Sequence, residues 1–506
     1  MADAPSLADD PRAFRIERAA MRVVERVRAE HRETILLAAL LAGFAIAWFV
    51  FDVVSLGSLD AHYDLSEMSI WAQHFAFGYK HPPLSGWVFG LWFSVFPRTA
   101  WAAHLLAVST ITITLAITWR LLRDHLDFNR ALLGIASLTL VPLYTFQAIK
   151  FNANLVMMPF WAAALLFYLR ARRTLRGSDA ALAGACLGFA FLGKYWAIYL
   201  VAGVFAASFT GATARPFWRS RAPYAMAAAA LVVVAPHLVW LLTERGGDTD
   251  SFLLSLRSAD PFSADVVRSV MFLIGSAADV IAPLLILAAL RPNRAAMADT
   301  IAPQEEGRKL ALVLLLVPLA LPALVNLAMP HRLTPLWTFP NWALLPVVLF
   351  GSPLLNVPAL AATRTALIAA VVTIASVIVA PFIGIQHLQD SNEQHRQHWQ
   401  QLAREIGKLS DKPVGFLTGD GEILKGLYFL LPSAQPLPGA TFTPADSNTR
   451  LAIICLSNDA ACQSQGDMLA QEGWTQGQWA EVKLTRSFLG ASGPATAYRI
   501  KIVSRK

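Results

Sequence analysis

The sequence predicts a polytopic α-helical membrane protein that ends in a small α+β domain. Three observations predict it. The 506-residue chain is 56% hydrophobic with a mean hydropathy of +0.48, values rare for a water-soluble protein of this length. Apolar runs near 20 residues, the length that crosses a hydrocarbon core roughly 30 Å thick, recur along most of it. After residue 386 the pattern changes to short β-like runs divided by turn residues. A β-barrel would show weaker alternating segments of about 10 residues throughout.

The N-terminal segment 1–33 is polar and basic. Residues 12–32, RAFRIERAAMRVVERVRAEHR, place seven Arg on a helical pattern with Phe14, Ile16, Met21, Val24 and Val27. Two readings fit: a helix lying on an anionic leaflet, or, more simply, the positively charged cytoplasmic flank of the first crossing. The first apolar run starts near Thr34 behind this tail, so it reads as an anchor and not as a cleavable signal. Membrane crossings are then expected over 34–54, 100–122, 131–149, 154–171, 180–193, 195–211, 222–242, 267–290, 309–329, 338–355 and 364–386, about eleven in all. Residues 84–97 are apolar but short, which suits an interfacial helix or an extension of the second crossing.

Charge supports this map. The loops WRLLRDHLDFNR, RARRTLRG, RPFWRSR and RPNR…EEGRK are rich in Arg, whereas the alternate loops carry the acids and scattered bases. Basic loops stay cytoplasmic, so the first loop (55–83) and, after an odd number of crossings, the tail 387–506 are expected on the periplasmic side of a bacterial inner membrane. The net charge of +8 therefore reports topology and not nucleic-acid binding. No internal repeat is visible in 34–386.

In the tail, KPVGFLTGD, RLAIICLS, WAEVKLT and AYRIKIVS read as strands, and GEILKGLYFLL and GDMLAQEG as helices. Cys455 and Cys462 lie there and can pair in an oxidising compartment, whereas Cys186 lies in an apolar run as packing. His387, His395 and His398 lack metal-ligand spacing, and no metal is expected.

The first loop carries the chemistry. Asp60, Asp64, Glu67, Trp71 and His74 are spaced 4, 3, 4, 3, one stripe of a helix, beside an apolar stripe of Ala61, Leu65, Met68, Ala72 and Phe75. Acids on one face repel, which tends to raise a pKa toward general-base use; the plain alternative is a solvated helix face. Lys80 and His81 then precede Pro82 and Pro83. The prolines end the helix and set a rigid corner, where cationic donors can hold a phosphate. Lys150 and Lys194 lie at outer ends of crossings, as phosphate contacts or as snorkelling side chains. Asn152 and Asn154 read as helix caps. His237 sits in an apolar run, where a packed histidine is the plainer reading. His331, Arg332 and Trp337 suit either a cavity lining or an interfacial anchor.

The order of first crossing, acidic loop and GYKHPPL resembles the integral-membrane GT-C glycosyltransferases of the aminoarabinose-transferase and protein O-mannosyltransferase superfamily. KFNANLVMMPFW (150–161), FLGKYWAIYL (191–200), APHLVWLL (235–242) and HRLTPLWTFPNW (331–342) are similar to motifs of bacterial members. The resemblance covers about residues 34–386. It implies a GT-C fold, a sugar donor carried on polyprenyl phosphate, an acidic residue of the first loop that assists attack, and inversion at the anomeric carbon. It further implies no cofactor beyond the lipid-linked sugar. The acceptor would be lipid A or lipopolysaccharide, another envelope glycan, or a protein hydroxyl. Many relatives carry an adjacent Asp-Glu pair, which this chain lacks. Asp64 takes the position of the Asp, followed in rank by Glu67 and Asp60, and His81 matches the basic residue before Pro-Pro. The resemblance also puts Lys80, Lys194, Lys150 and Arg332 at the donor phosphate, and Tyr63, Trp71, Tyr195, His237 and Trp337 around the substrate cavity.

Two other functions compete. A transporter or lipid flippase should carry charges near the midplane and broken helices in paired halves; here the ionisable residues gather at outer ends, apart from Asp279. An envelope assembly protein would leave the dense first loop unexplained.

Overall fold

A computed structural model describes residues 14–30, 32–62, 64–72, 76–79, 81–148, 150–243, 260–389, 398–436, 449–469, 474–475 and 477–504. Tyr63, His74, Lys80 and His395 lie outside the described residues.

A helical bundle precedes a five-stranded sheet. The bundle comprises α1 (Arg15–Ala29), α2 (Glu33–Ser55), α3 (Asp64–Ala72), α4 (Leu84–Val95), α5 (Ala100–His125), α6 (Phe128–Leu138), α7 (Ala153–Thr174), α8 (Gly177–Gly193), α9 (Ile198–Ser208), α10 (Ala214–Arg219) and α11 (Ala222–Thr243). It continues with α12 (Phe262–Asp279), α13 (Ile281–Ala289), α14 (Arg294–Ile301), α15 (Glu306–Ala328), α16 (Leu345–Phe350) and α17 (Ala359–His387). The chain is a multi-pass membrane protein. Six of these helices (α2, α5, α7, α11, α15 and α17) are long and apolar enough to cross a membrane, and the bent pair α12–α13 makes a seventh candidate.

The remaining expected crossings take other forms. Helix α6 stops at Leu138, and Pro142, which has no N–H to donate, opens a 3₁₀ turn over Pro142–Tyr144, so 131–149 is not one helix. The expected crossing at 338–355 is a 3₁₀ stretch, Pro335–Leu344, followed by the six residues of α16, with Pro335, Pro340 and Pro346 within it. Residues 84–95 form α4, separate from α5. Helices α12 and α13 bend by 57°. Pro283 removes the donor for the Asp279 carbonyl four residues earlier, which places the break at Val280.

The Arg-rich loops meet one another. Arg123 pairs with Glu33 at 3.3 Å, and Arg170 pairs with Asp124. Arg172 donates to the Thr210 carbonyl at 2.8 Å and Thr213 Oγ1 at 2.7 Å, and Arg130 to the Ser352 and Leu355 carbonyls at 3.1 and 2.8 Å. These loops therefore share one end of the bundle, as the charge alternation expects.

The C-terminal part contains α18 (Trp399–Leu409), β1 (Val414–Gly419), α19 (Gly421–Leu430), β2 (Gln435–Pro436), β3 (Arg450–Leu456), α20 (Ala460–Met468), β4 (Trp479–Phe488) and β5 (Ala491–Ser504). Strand order is β2-β1-β3-β5-β4, with β1 parallel to β2 and β3, and β5 antiparallel to β3 and β4. Trp399, Leu402, Ile423, Leu427, Tyr498 and Ile500 close its core. Cys455 and Cys462 are bonded, with Cα atoms 5.9 Å apart, joining β3 to α20.

This domain sits on the end of the bundle opposite the Arg-rich loops. Phe488, at the end of β4, fills a slot beside Gly57 and Gly384, where a Cβ on either would strike its ring. Ser69 Oγ of α3 donates to the Tyr428 carbonyl of α19 at 3.0 Å, and Phe429 meets Phe93 edge-on at 5.3 Å. The C-terminal domain thus rests on α3, the helix that carries Asp64 and Glu67.

Candidate active site

The stripe of acids is divided. Helix α3 begins only at Asp64 and ends at Ala72, so Asp60 is not on it. Asp60 Oδ2 accepts from the Trp399 N–H and Arg486, each at 2.8 Å, and Oδ1 from the Gln400 N–H at 3.1 Å. Its side chain is 7% exposed and that of Arg486 12%. Asp60 therefore ties α18 and β4 of the C-terminal domain to the first loop, with its oxygens committed to these partners.

Asp64 faces the bundle. As the first residue of α3, its carboxylate lies where exposed helix N–H groups favour negative charge. His62 Nδ1 lies 3.3 Å from its Oδ2 and 3.2 Å from its backbone N–H. One nitrogen serves one role at a time: with a lone pair it accepts from the N–H, and with a proton it donates to the carboxylate. Asn152 Nδ2 lies 3.5 Å from the same Oδ2. Burial pushes the Asp64 carboxyl up, but hydrogen bonding and charge from His62, the Asn152 amide and the Lys150 charge together hold it below the usual range. Mutual repulsion was expected to raise an acid. The separation of Asp60 from Asp64, each with its own donors, accounts for the opposite direction.

Asn152 is fixed by a second bond. Its Oδ1 caps α7, accepting from Asn154 N–H at 2.9 Å and Leu155 N–H at 3.3 Å, so its amide nitrogen is turned outward to Asp64. Asn154 accepts from Lys194 Nζ at 2.7 Å, and that ammonium lies 4.5 Å from the centre of the Trp337 ring. Trp337 is held edge-on by Trp196 at 5.1 Å. Burial pulls the Lys194 ammonium down to about 7, and the Asp64 carboxylate opposes that shift. Asp64, Asn152, Asn154, Lys194 and Trp337 thus form one cluster, a carboxylate facing a cation through two amides. Lys150 adds charge to it from an exposed position.

The other candidates group elsewhere. Trp71 is buried, stacked on Tyr79 at 5.8 Å and edge-on to His81 at 5.5 Å, which fixes the corner made by Pro82 and Pro83. Glu67, one turn beyond Asp64, is half-buried. His237 is buried between Phe77 and Tyr195: its Nδ1 lies 2.6 Å from the Phe77 carbonyl and its Nε2 3.1 Å from the Tyr195 hydroxyl. A carbonyl only accepts, so Nδ1 carries the proton. Gly78 is required here, since a Cβ would collide with Trp240, which stacks on His237. Arg332 is exposed. Among the described residues, no cluster of His, Cys, Asp and Glu could hold a metal ion.

A cleft of about 210 Å³ opens at His62 and Lys150, the neighbours of Asp64, and is lined also by Asp60, Leu65, His104 and His387. His62 is a partner that sequence reasoning missed. It lies outside the helical stripe, and its signal was only its place two residues before Asp64. Asn152 was read as a cap, which it is, but capping also aims its free amide.

The bundle and sheet together match ArnT from Cupriavidus metallidurans, solved bound to undecaprenyl phosphate, with a TM-score of 0.58, 14% identity, and coverage of 93% of this chain and 98% of that chain. This is the GT-C glycosyltransferase fold. The apo state of the same ArnT matches with a TM-score of 0.58 and 12% identity over 94% of this chain and 98% of that one. Residues 80–240 match the family of dolichyl-phosphate-mannose-protein mannosyltransferases. No curated protein matches the chain. Within the GT-C fold here, the matched stretch holds His81, Asn152, Asn154, Lys194, Tyr195 and His237, whereas Asp64 precedes it.

Proposed function

We propose that the protein is an inverting glycosyltransferase that moves a sugar from a polyprenyl-phosphate donor to an envelope acceptor. The acceptor classes are lipid A or lipopolysaccharide, another glycan, or a protein, met on the periplasmic face. One observation carries this reading: the Asp64 carboxylate and the Lys194 ammonium belong to one amide-linked cluster at the end of the bundle opposite the Arg-rich loops.

The chemistry follows from that placement. Ionised at neutral pH, Asp64 places negative charge beside an anomeric carbon that becomes oxocarbenium-like, and takes the acceptor's proton late in the attack. The C–O bond to phosphate breaks as the acceptor oxygen bonds to the opposite face, so configuration inverts. Lys194, aided by Lys150 and by His81 at the corner, meets the charge left on polyprenyl phosphate. An almost wholly apolar groove of about 510 Å³ between α8, α9 and α11 begins at Phe191, whose ring meets Tyr195, and reaches Phe217 and Trp218. Such a groove suits an isoprenoid tail.

The test is acceptor-dependent release of polyprenyl phosphate from polyprenyl-phosphate sugar by the purified protein in liposomes. Movement of the intact donor across the bilayer without its cleavage would replace this reading with that of a flippase.

A further inference from the structure

A second cavity lies at the other end of the bundle. It holds about 350 Å³ and lies between α2, α5, α6 and α17, lined by Leu37, Leu40, Trp119, Leu132, Ala136 and Ala369. That is within the roughly 300–1,000 Å³ of ligand pockets. The cavity is apolar along its length, and Glu33 lies at its rim, where Arg123 pairs with it at 3.3 Å. It therefore opens among the Arg-rich loops and has no part in the Asp64 cluster.

Helix α1 is fixed next to this opening. Arg364 donates to Glu17 through Nε at 2.8 Å and through a terminal nitrogen at 3.1 Å, and Met21 is buried on Leu360. Arg364 stands two residues before Ala366, which lines the cavity, and Glu33 stands four residues after Ala29, the end of α1. With Glu17 committed to Arg364, the helix presents Arg15, Arg18, Arg22 and Arg26 against the single acid Glu25. Ile16 and Val23 are exposed, 67% and 56%. At 100° per residue they share a side away from Arg15, Arg18 and Arg22. A helix with an exposed apolar edge, an arginine face and a folded anchor is built to lie in an anionic interface.

We propose that α1 and the cavity together bind one anionic glycerophospholipid, its phosphate against the arginines of α1 and one acyl chain in the groove between α2, α6 and α17. The charge pattern selects the occupant. An excess of guanidinium groups on a helix anchored to α17, one wall of an apolar slot, rewards a phosphodiester with a fatty chain, and a zwitterionic headgroup forfeits most of that gain.

The full-length protein, released from nanodiscs of mixed phosphatidylglycerol and phosphatidylethanolamine, is examined by native mass spectrometry. The expected result is preferential retention of phosphatidylglycerol by the wild type. The triple variant Arg18→Gln/Arg22→Gln/Arg26→Gln, in which Arg22 and Arg26 are exposed and Arg18 half-buried, should lower that preference about tenfold or more. Ala369→Phe, which fills the groove, should remove the retained lipid while glycosyl transfer persists. Equal retention of both lipids, retention unchanged in both variants, or retention of polyprenyl phosphate alone would overturn the proposal. If Ala369→Phe does not give monodisperse protein, the triple variant decides by itself.

Discussion

Asn152 holds two elements at once: its Oδ1 caps α7, 2.9 Å from the Asn154 N–H, while its Nδ2 lies 3.5 Å from Asp64 Oδ2. The two roles can be separated. Asn152→Ser keeps the cap and removes the amide donor. Asn152→Asp keeps the cap and sets a second carboxylate against Asp64. Asp64 is held below its usual range, so transfer should persist to low pH in the wild type and fall as pH drops through that lowered value. Asn152→Asp should move this acid limb upward, Asn152→Ser should move it less, and both should fold. Asn152→Ala should also lose about 1 kcal/mol of stability with the cap. A pH–rate profile identical in all variants would leave Asn152 as a cap alone.

Lys194 gives a pH dependence of the opposite sign. Its ammonium is drawn down to about 7 in the free protein. A bound phosphate favours the charged form and raises that value, so donor binding should take up protons. Affinity should be strongest below pH 7 and weaken as pH rises through it. Lys194→Met should abolish this dependence and weaken donor binding. Titration calorimetry of polyprenyl phosphate in buffers of differing ionisation enthalpy reads the proton uptake.

Asp60 should behave unlike Asp64. Removing one partner of a buried pair commonly costs about 3–5 kcal/mol, and both Asp60 and Arg486 are largely buried. Asp60→Ala should lower the unfolding temperature of the purified protein by several degrees and loosen the soluble domain. The fraction that stays folded should retain transfer within about threefold, as expected of a change outside the reacting groups. Loss of transfer without loss of stability would return Asp60 to the chemistry.

The Cys455–Cys462 bond ties β3 to α20 within a short loop. Intact mass should rise on reduction and fall again on reoxidation. The Cys455→Ala/Cys462→Ala protein should lose about 2 kcal/mol from the soluble domain. Since such a bond needs an oxidising compartment, a periplasm-specific reporter fused after Lys506 should be active.

How far the sequence reached depends on the kind of signal. The membrane-protein class and the charge of the loops were legible because apolar length and Arg placement are local properties; of the eleven expected crossings, six are helices long and apolar enough to span and a seventh is the bent pair α12–α13. What failed was helical continuity. Pro142, Pro283 and Pro340 lie in apolar runs, and hydropathy does not register a missing N–H. In the first loop, the spacing of Asp60, Asp64 and Glu67 suggested one face, but the helix starts at Asp64, and Asp60 is claimed by Trp399, Gln400 and Arg486, hundreds of residues away. Lys194 could be named from its motif, whereas Asn154 reads in the sequence as a cap and instead accepts from Lys194. Their joining to Asp64 through Asn152 is a tertiary fact that no spacing carries.

The central claim is that Asp64 is the acid that assists transfer. A general base is commonly worth 10²–10⁴ in rate, or roughly 3–5 kcal/mol of barrier. Asp64→Asn is nearly isosteric and keeps the approach of Asn152, so the protein should stay monodisperse and bind polyprenyl phosphate as the wild type does. The most direct measurement is the single-turnover rate of sugar transfer by reconstituted Asp64→Asn, beside Glu67→Gln and Asp60→Asn. The account predicts a fall of at least about a hundredfold for Asp64→Asn and a smaller fall for Glu67→Gln. It predicts a near wild-type rate for folded Asp60→Asn. A near wild-type rate for Asp64→Asn, with transfer lost in Glu67→Gln, would contradict it and move the role one helical turn along α3.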